Sequence, residues 1–284
     1  MIRSPFFYVG DKYKLMPQLC NLFPKNISLY VEPFLGGGSS MLSVTANEYI
    51  LNDINVNMVN LHEFLLSYRD KPNLFFEKCF NTINSYGLSI SFKEDVIPAD
   101  LKEKYPKTYY AKYNKEKYKK LKIDFNNEKS KDNIKLYLLL IYGFNHMIRF
   151  NKSGGFNLPV GNVDFNKNVY NSLVEYFAIN KNRKITIMND DFEIFVKNIC
   201  FKENSFVYFD PPYYISQSEY NKIWNEKDEI RLYELLDCLN EKKVKFGITN
   251  LLCHKGKTNL YFQAFAKKYK ARIIKSNYIR YNDN

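Results

Sequence analysis

The sequence of 284 residues has few of the features that mark metalloproteins, disulfide-linked proteins or membrane proteins. Its 5 cysteines form no CxxC pair and its 3 histidines lie far apart. We therefore predict that the protein has no zinc site and that its cysteines are reduced. The histidines are predicted to be ordinary surface or loop residues. No apolar run reaches about 18 residues, and the first residues, MIRSPFFYVGDKYK, lack the hydrophobic region of a secretory signal. A soluble, cytoplasmic protein is expected.

Acidic residues are outnumbered by basic ones. There are 42 Lys and Arg against 30 Asp and Glu, which gives a formal net charge of +12. Such a charge suits a polyanionic partner such as nucleic acid. A coding bias is the alternative explanation, because Lys, Asn, Ile and Tyr are all abundant. A chain of this length with 45% hydrophobic residues can form a substantial core in one or two domains.

The order of predicted elements indicates an α/β protein with an insertion. Residues 28–44, SLYVEPFLGGGSSMLSV, predict a strand, a glycine turn and a helix, and a helix is also predicted from the turn near Tyr8 to residue 24. Between Asn60 and about Asn133 the pattern is helical and has no strong strand signal. The other predicted strands are 48–53, 184–188, the run before Asp210, 244–250 and 271–280, with helices at 226–243 and 258–268. Alternation of this kind implies parallel strands joined by crossover helices, here interrupted by a helical insert.

The stretch SFVYFDPPYY, residues 205–214, carries the strongest chemical signal. It is an apolar strand that must leave its sheet at Asp210, because the two following prolines cannot donate ladder hydrogen bonds. The Asp210 carboxylate, the Pro211 carbonyl and the Tyr213 ring then project from one strand end, where open α/β sheets bind ligands. Two acceptors could hold both hydrogens of a nucleobase amino group and turn its lone pair outward, while Tyr213 stacks on the base. The alternative is a structural turn with a buried tyrosine.

The glycine cluster at Gly36, Gly37 and Gly38 lets the backbone approach a ligand closely before a helix start. Its spacing is shorter than that of the dinucleotide fingerprint, which argues against a pyrophosphate ligand. Asp53 ends the second strand, the position at which α/β folds bind a ribose hydroxyl pair. Asp53 could also cap the helix that follows it.

Two segments of the insert suit contact with nucleic acid. Nine lysines lie between Lys102 and Lys122, interleaved with tyrosines, and they fit either phosphate contact or a solvated helix face. A buried helix from residue 134 leads into a predicted hairpin with strands 147–150 and 156–158. Its Arg149 could contact guanine in a major groove, or it could pair with a carboxylate on an ordinary surface hairpin.

Taken in order, the glycine loop, Asp53, the insert and the Asp210-Pro-Pro-Tyr213 motif resemble the Dam-type DNA adenine-N6 methyltransferases. The resemblance covers nearly the whole chain and is closest to the T-even phage branch, notably in GFNHMIRFN, FVYFDPPYYIS, YNKIW and KKVKFGITN. It implies a Rossmann-like methyltransferase sheet with an inserted, mostly helical target-recognition domain that carries a β-hairpin. Residues 1–58 and 166–284 would form the S-adenosylmethionine-binding catalytic domain, and residues 59–165 the DNA target-recognition domain.

The resemblance also implies roles for individual residues. The catalytic motif is matched by Asp210, Pro211, Pro212 and Tyr213. The cofactor-binding positions are matched by Tyr8, Gly10, Lys12, Glu32, Phe34, Gly36, Gly38, Asp53, Phe192 and Asp210. The positions that contact or intercalate the duplex are matched by Phe144, Asn145, Met147, Arg149 and Pro159. No metal is implied.

Two departures from the family pattern bear on the target and the sheet. Asn162 and Val163 replace the arginine or lysine that the family carries just after the hairpin. This departure weakens the expectation of the family's usual GATC target. The sequence also ends at Asn284 in a polar stretch where the family continues into one more strand.

The implied function is methyl transfer from S-adenosyl-L-methionine to an adenine flipped out of double-stranded DNA. The resemblance also implies a cognate restriction endonuclease as a partner. The protein itself would act as a monomer or weak dimer. One alternative is an adenine methyltransferase acting on RNA, although Asp210 favours DNA because the RNA enzymes commonly carry Asn there. A second alternative is a DNA-binding relative without catalysis. A nicotinamide oxidoreductase is disfavoured by the glycine spacing.

Overall fold

The computed structural model describes residues 1–94, 96–216 and 224–275. The chain divides into two compact units, and each is interrupted in sequence by the other. We call Met1–Tyr13, Gly36–Leu42 and Asn55–Asn182 the helical unit, and Lys14–Leu35, Ser43–Ile54 and Arg183–Asn284 the sheet unit. The sequence-based boundaries at residues 58, 59, 165 and 166 remain predictions.

The sheet unit is built on a five-stranded parallel sheet with strand order β3-β2-β1-β4-β5. The strands are β1 (Ile27–Glu32), β2 (Ala46–Asn52), β3 (Lys184–Met188), β4 (Ser205–Phe209) and β5 (Lys245–Ile248). Chain order reverses between β1 and β4, the kind of switch point at which open α/β sheets bind ligands. The predicted Rossmann-like α/β fold with parallel strands is therefore confirmed.

Both faces of this sheet are covered, as expected for parallel strands. Leu29, Val31, Val207 and Phe209 point to one face, where they join a core with residues of α9 (Phe192–Lys197), α10 (Glu226–Glu241) and α11 (Leu260–Ala266). On the other face the aromatic rings of alternate residues meet, and Tyr30 lies 6.3 Å from Phe206 between ring centroids. Strand β4 is buried along its whole length. A rigid support for Asp210 follows from this burial.

The first helix of the sheet unit is shorter than predicted. α1 spans only Met16–Cys20, although the sequence pattern extends the helix to residue 24. Phe23 packs on Phe206 and Tyr208 of the sheet, with ring centroids 4.8 and 5.1 Å apart, instead of continuing the helical face. Pro24 also disfavours a helical conformation at the residue before it.

The helical unit contains the helices that the sequence pattern predicts between Asn60 and about Asn133. Its helices are α3 (Val56–Leu66), α4 (Pro72–Tyr86), α5 (Ala99–Lys104), α6 (Tyr109–Asn127), α7 (Asn133–Ile141) and α8 (Lys167–Asn180), and α2 (Ser39–Ser43) follows the glycine loop. α7 is the predicted buried helix, with every residue from Leu136 to Ile141 buried. Phe75 of α4 packs on Tyr137 of α7 and Phe177 of α8, which places an aromatic core at the centre of this unit.

Three expectations need correction or fall partly outside the described residues. The hairpin has an isolated antiparallel bridge between Phe150 and Phe156 instead of two regular strands. Residues 271–275 of the predicted strand 271–280 are not in a strand, and the remainder lies outside the described residues. His62 is fully buried in α3 and is not a surface residue. A short two-stranded pair, β6 (Cys253–His254) and β7 (Lys257–Thr258), was not predicted.

In the parts of the chain that the structure describes, no helix is long and apolar enough to cross a membrane. Within the same ranges, no three or more His, Cys, Asp and Glu side chains gather in a way that could hold a metal ion.

Candidate cofactor and catalytic site

The Asp210 side chain is held by two hydroxyl groups of the sheet unit. Its Oδ1 accepts a hydrogen bond from Thr249 Oγ1 at 2.7 Å and from the Tyr213 hydroxyl at 3.2 Å. Thr249 follows β5 directly, and its backbone N–H donates to the Phe209 carbonyl at 3.0 Å. Pro211 is buried while Pro212 and Tyr213 are half-buried. The DPPY motif therefore forms an ordered strand end with its carboxylate oriented by protein donors.

Asn52 ties together three strand ends beside this motif. Its Nδ2 donates to the Pro33 carbonyl at 3.1 Å, just after β1, and to the Asp190 carbonyl at 3.0 Å, just after β3. Its Oδ1 accepts from the Asp190 N–H at 2.9 Å. Asn52 is fully buried, so this amide fixes the segments that carry Phe34, Asp53 and Phe192.

Asp53 does not cap the helix that follows it. Asn55 is the N-cap of α3, with its side chain accepting from the Asn57 N–H at 3.1 Å. The backbone of Asp53 is fixed on both sides, since its N–H donates to Met188 O at 3.3 Å and its carbonyl accepts from Asn189 Nδ2 at 2.7 Å. The capping alternative is therefore wrong, and Asp53 stays a candidate for binding a ribose.

Three aromatic rings of the sheet unit pack on one another at the strand ends. Phe34 lies 5.3 Å from Phe192 and 5.6 Å from Trp224 between ring centroids, and Phe192 lies 5.5 Å from Trp224. The Arg231 guanidinium stacks over Phe192 at 4.9 Å and forms ion pairs with Asp191 and Glu193. The two predicted cofactor residues Phe34 and Phe192 are thus neighbours in one aromatic cluster.

Trp224 and Glu229 belong to a buried hydrogen-bond cluster that was not predicted from the sequence. Glu229 is fully buried, and its carboxylate accepts from Trp224 Nε1 at 2.6 Å and from Asn259 Nδ2 at 2.6 Å. The Tyr233 hydroxyl at 2.5 Å and Asn250 Nδ2 at 3.1 Å complete the set of donors. Sequence alone gives one hint, a glutamate in an apolar helix face five residues after the single tryptophan, but it cannot show that the partners converge.

Glu32 ends β1 and is also buried. The Tyr30 hydroxyl donates to its Oε2 at 3.2 Å, two residues earlier on the same strand. Glu32, Phe34, Asp53, Phe192 and Asp210 all follow or end neighbouring parallel strands. The sheet unit therefore gathers these five predicted residues at the carboxyl edge of one sheet.

The remaining cofactor candidates belong to the helical unit. Gly36 and Gly38 have φ of 48° and 75°, a backbone region that favours glycine. A Cβ atom on Gly37 would lie 2.9 Å from Cβ of Tyr8, which is buried, and the Ser4 hydroxyl donates to the Gly37 carbonyl. Lys12 Nζ donates to the Gly10 carbonyl at 2.9 Å. The glycine loop thus packs closely against the N-terminal segment that contains Tyr8.

A buried histidine holds the same loop. His62 Nε2 lies 2.8 Å from the Gly36 carbonyl oxygen, so the ring proton must be on Nε2, and the buried Nδ1 has no hydrogen-bond partner among the described residues. Burial lowers the pKa of His62 from 6.5 to about 4, against the smaller opposing effect of Gly36. His62 is therefore a neutral support for the loop at physiological pH.

The candidate DNA-contacting residues lie at the hairpin of the helical unit. Phe144 is 51% exposed, and Asn145 and His146 have φ of 54° and 49°. The Phe144 N–H donates to the Pro159 carbonyl at 2.9 Å, and Met147 follows the same short 3-10 turn. An exposed aromatic ring on a strained turn is an arrangement that fits insertion into a base stack.

Among the residues that the structure describes, Arg149 pairs with an amide and not with a carboxylate. Its Nε donates to Asn157 Oδ1 at 2.9 Å, and its Nη2 donates to the Asn157 carbonyl at 3.1 Å. Burial lowers the pKa of Lys122, and the charges of Arg149 and Lys119 lower it further. Part of the lysine-rich helix α6 thus lies beside the hairpin, and the positive charges of Lys119, Lys122 and Arg149 are close enough to affect one another.

Asn162 has a structural role at the start of α6. Its Nδ2 donates to the Lys107 carbonyl at 2.8 Å, and its Oδ1 accepts from the Ala111 N–H at 3.2 Å. These bonds span 55 and 51 residues of sequence and were not predictable from the position after the hairpin.

Comparison with known proteins identifies the family of this chain. The family model described as D12 class N6 adenine-specific DNA methyltransferase matches residues 8–281. The chain belongs to this family. It is 31% identical to the type II methyltransferase M.FokI of Planomicrobium okeanokoites and 30% identical to the modification methylase StsI of Streptococcus sanguinis, over 100% of the chain in both cases. It is 28% identical to the DNA adenine methylase of Haemophilus influenzae over 76% of the chain and 66% of that protein.

The chain spans only part of its modification-methylase relatives. It covers 41% of the M.FokI protein and 40% of the StsI protein.

Proposed function

We propose that this protein is an S-adenosylmethionine-dependent methyltransferase that modifies the N6 amino group of adenine in double-stranded DNA. One observation carries the proposal: the Asp210 carboxylate is oriented by the Thr249 and Tyr213 hydroxyls at the end of β4. It is an acceptor placed at a sheet edge where ligands bind. Membership of the D12 class supports the same substrate class.

The residues present fit the cofactor. Asp53, fixed by its backbone, is the acceptor for a ribose hydroxyl pair, and Phe192 is the aromatic contact for an adenine. Tyr8, Gly10, Lys12, Glu32, Phe34, Gly36 and Gly38 complete the proposed set. At Gly37 no Cβ fits beside Tyr8, so glycine keeps this loop packed against the N-terminal segment that supplies Tyr8, Gly10 and Lys12 to the proposed set. Bound S-adenosyl-L-methionine supplies an electrophilic methyl group on a sulfonium.

Asp210 and Pro211 do the chemical positioning in this proposal. The carboxylate and the Pro211 carbonyl accept the two hydrogens of the adenine amino group, so the nitrogen lone pair turns away from the ring. Tyr213 stacks on the base, a contact worth roughly 1 to 3 kcal/mol, and Pro211 and Pro212 prevent strand pairing beyond the end of β4. Acceleration then comes from alignment and fixed acceptors.

Target recognition is assigned to residues 59–165. The target adenine must leave the base stack, at a cost of a few kcal/mol. Phe144, with half of its surface exposed, and Asn145 are proposed to fill the vacated step. Met147, Arg149 and Pro159 contact the duplex, with Arg149 as the candidate base reader.

Further proposals concern the target sequence and the partners. The sequence resemblance to the T-even phage branch supports a GATC-like site. The names of the relatives, modification methylase and type II methyltransferase, support a role in restriction–modification with a cognate restriction endonuclease. We also propose a cytoplasmic protein that acts as a monomer or weak dimer.

A filter assay with tritium-labelled S-adenosylmethionine tests this function. Purified protein is incubated with duplex DNA, with RNA of matched sequence, or with both in competition. We expect label in the DNA, and N6-methyladenine as the labelled nucleoside after digestion. Label in RNA alone would identify an RNA methyltransferase, and DNA binding without incorporation of label would identify a non-catalytic relative.

A further inference from the structure

The hydroxyl of Thr249 lies beside the carboxylate proposed to be catalytic. β5 pairs in parallel with β4, with Ile248 opposite Phe209, so Asp210 and Thr249 leave adjacent strands together. The 2.7 Å contact between Thr249 Oγ1 and Asp210 Oδ1 is shorter than the 3.2 Å contact from the Tyr213 hydroxyl to the same oxygen. Hydrogen bonds to an ionised group are stronger than neutral ones, so Thr249 is well placed to set the rotation of the carboxylate.

The direction of the hydrogen bonds follows from the donors available. An ionised carboxylate can only accept, so the single proton of the Thr249 hydroxyl points to Asp210. The Tyr208 hydroxyl lies 3.0 Å from the same Thr249 oxygen and must then donate to it. Tyr208 is buried in β4, and burial raises its pKa well above the ordinary range, so it keeps its proton. The chain of hydroxyls therefore runs from Tyr208 through Thr249 to Asp210.

Asn250, the residue after Thr249, ties this end of β5 to the buried core. Asn250 Nδ2 donates to Glu229 Oε1 at 3.1 Å and to the Tyr233 hydroxyl at 3.0 Å. Its own Oδ1 accepts from the Leu251 N–H at 2.8 Å. The segment that carries Thr249 is thus bonded to β4 through the Thr249 backbone and to the buried Glu229 carboxylate through the Asn250 side chain.

We propose that Thr249 is a positioning residue for methyl transfer, and that its hydroxyl, held by Tyr208, fixes the Asp210 carboxylate in the orientation that accepts from the target amino group. This inference rests on the proposed function. Because acceptors contribute only when aligned, an Asp210 carboxylate that lacks the Thr249 contact would slow the chemical step without weakening the binding of cofactor or DNA.

Three variants test the inference. Thr249→Val removes the hydroxyl at nearly constant volume, Thr249→Ser keeps it, and Tyr208→Phe removes only the outer donor. The matched control is Thr186→Val, which removes an exposed strand hydroxyl on β3. For each protein we would measure the single-turnover rate of tritiated methyl transfer to duplex DNA, together with the dissociation constants of S-adenosylhomocysteine and of DNA.

We expect the single-turnover rate of Thr249→Val to fall roughly ten- to hundredfold, with both dissociation constants within about twofold of wild type. Thr249→Ser should recover to within about threefold. Tyr208→Phe should lose several-fold, and the double variant Thr249→Val with Tyr208→Phe should match Thr249→Val alone, because Tyr208 acts through Thr249. Thr186→Val should keep the wild-type rate.

The inference is overturned by a wild-type rate in Thr249→Val, by a Thr249→Ser variant as slow as Thr249→Val, or by additive losses in the double variant. Tyr208→Phe, which leaves Thr249 in place, decides the question if Thr249→Val does not fold: a wild-type rate in it would also overturn the inference. A wild-type protein that transfers no methyl group would contradict the proposed function and this inference together, whereas an active wild type with an unaffected Thr249→Val contradicts the inference alone.

Discussion

The Tyr213 hydroxyl donates a hydrogen bond to Oδ1 of Asp210 at 3.2 Å, so the ring proposed to stack on the target base is tied to the carboxylate proposed to hold its amino group. The two residues are three positions apart in sequence and are separated by the two prolines. The ring and the carboxylate can therefore act as one preorganised unit.

Removing only the Tyr213 hydroxyl should separate the stacking of the ring from its hydrogen bond to Asp210. We expect Tyr213→Phe to keep methyl transfer within about threefold of wild type, because the ring still stacks and Thr249 still orients Asp210. Tyr213→Ala should lose roughly ten- to hundredfold in kcat/KM for DNA, since stacking on one base contributes about 1 to 3 kcal/mol. Steady-state kinetics on duplex DNA measures both, and equal losses in the two variants would contradict a stacking role.

The buried His62 should make stability depend on pH. Its pKa is lowered from 6.5 to about 4 by burial, so the unfolded chain takes up a proton at higher pH than the folded protein. The stabilising contribution is complete above the unfolded pKa and is lost as the pH falls towards the folded pKa. We expect wild type to lose about 2 kcal/mol more than His62→Gln in free energy of unfolding between about pH 7.5 and about pH 5.

Urea denaturation at several pH values measures this difference. The comparison isolates His62 because both proteins retain His146, whose pKa is also lowered by burial. Parallel stability curves for wild type and His62→Gln would contradict a buried, neutral histidine at this position.

The single tryptophan should report on cofactor binding. Trp224 packs on Phe34 and Phe192, both proposed to contact the cofactor. We expect titration with S-adenosylhomocysteine to change Trp224 emission, and Phe192→Leu to raise the dissociation constant roughly three- to tenfold through loss of the aromatic contact. Ile194→Ala, an exposed residue of the same helix, is the control and should bind normally. Normal binding by Phe192→Leu would remove Phe192 from the site.

Two basic residues near the hairpin should affect DNA binding differently. Arg149 is a candidate base reader, so Arg149→Lys should cost about 1 to 3 kcal/mol on the preferred sequence and little on others. Lys119 is exposed on α6, so Lys119→Gln should weaken binding to all sequences and reduce the salt dependence by about one phosphate contact. Fluorescence anisotropy at several salt concentrations distinguishes the two patterns. Identical effects of both variants on every sequence would exclude base reading by Arg149.

Much of the fold was predictable because its signals are local. The apolar run before Asp210 and the two prolines predict a buried strand and its end, and β4 spans Ser205–Phe209 as expected. The run LYLLLI predicts a buried helix, which α7 confirms. Five of the proposed site residues follow or end parallel strands, so alternation of strands and helices was sufficient to predict that they share one edge of the sheet.

Contacts between distant residues were not predictable. His62 looked like an ordinary polar residue because nothing in its neighbourhood in sequence announces Gly36, 26 positions earlier, as its partner. Thr249 and Asp210 are 39 positions apart and meet only because β5 pairs with β4. Asp53 and Asn55 both suit a helix N-cap by composition, and only the backbone geometry shows that Asn55 is the cap.

In the proposed reaction, Asp210 holds the amino group of an adenine during methyl transfer. The most direct measurement is the amount of N6-methyladenine formed in duplex DNA by wild type and by Asp210→Ala, with DNA affinity determined on the same preparations. We expect N6-methyladenine with wild type, none detectable with Asp210→Ala, and DNA affinity within about threefold for both, because the carboxylate acts on the flipped base. Near-normal methylation by Asp210→Ala would contradict this role of Asp210.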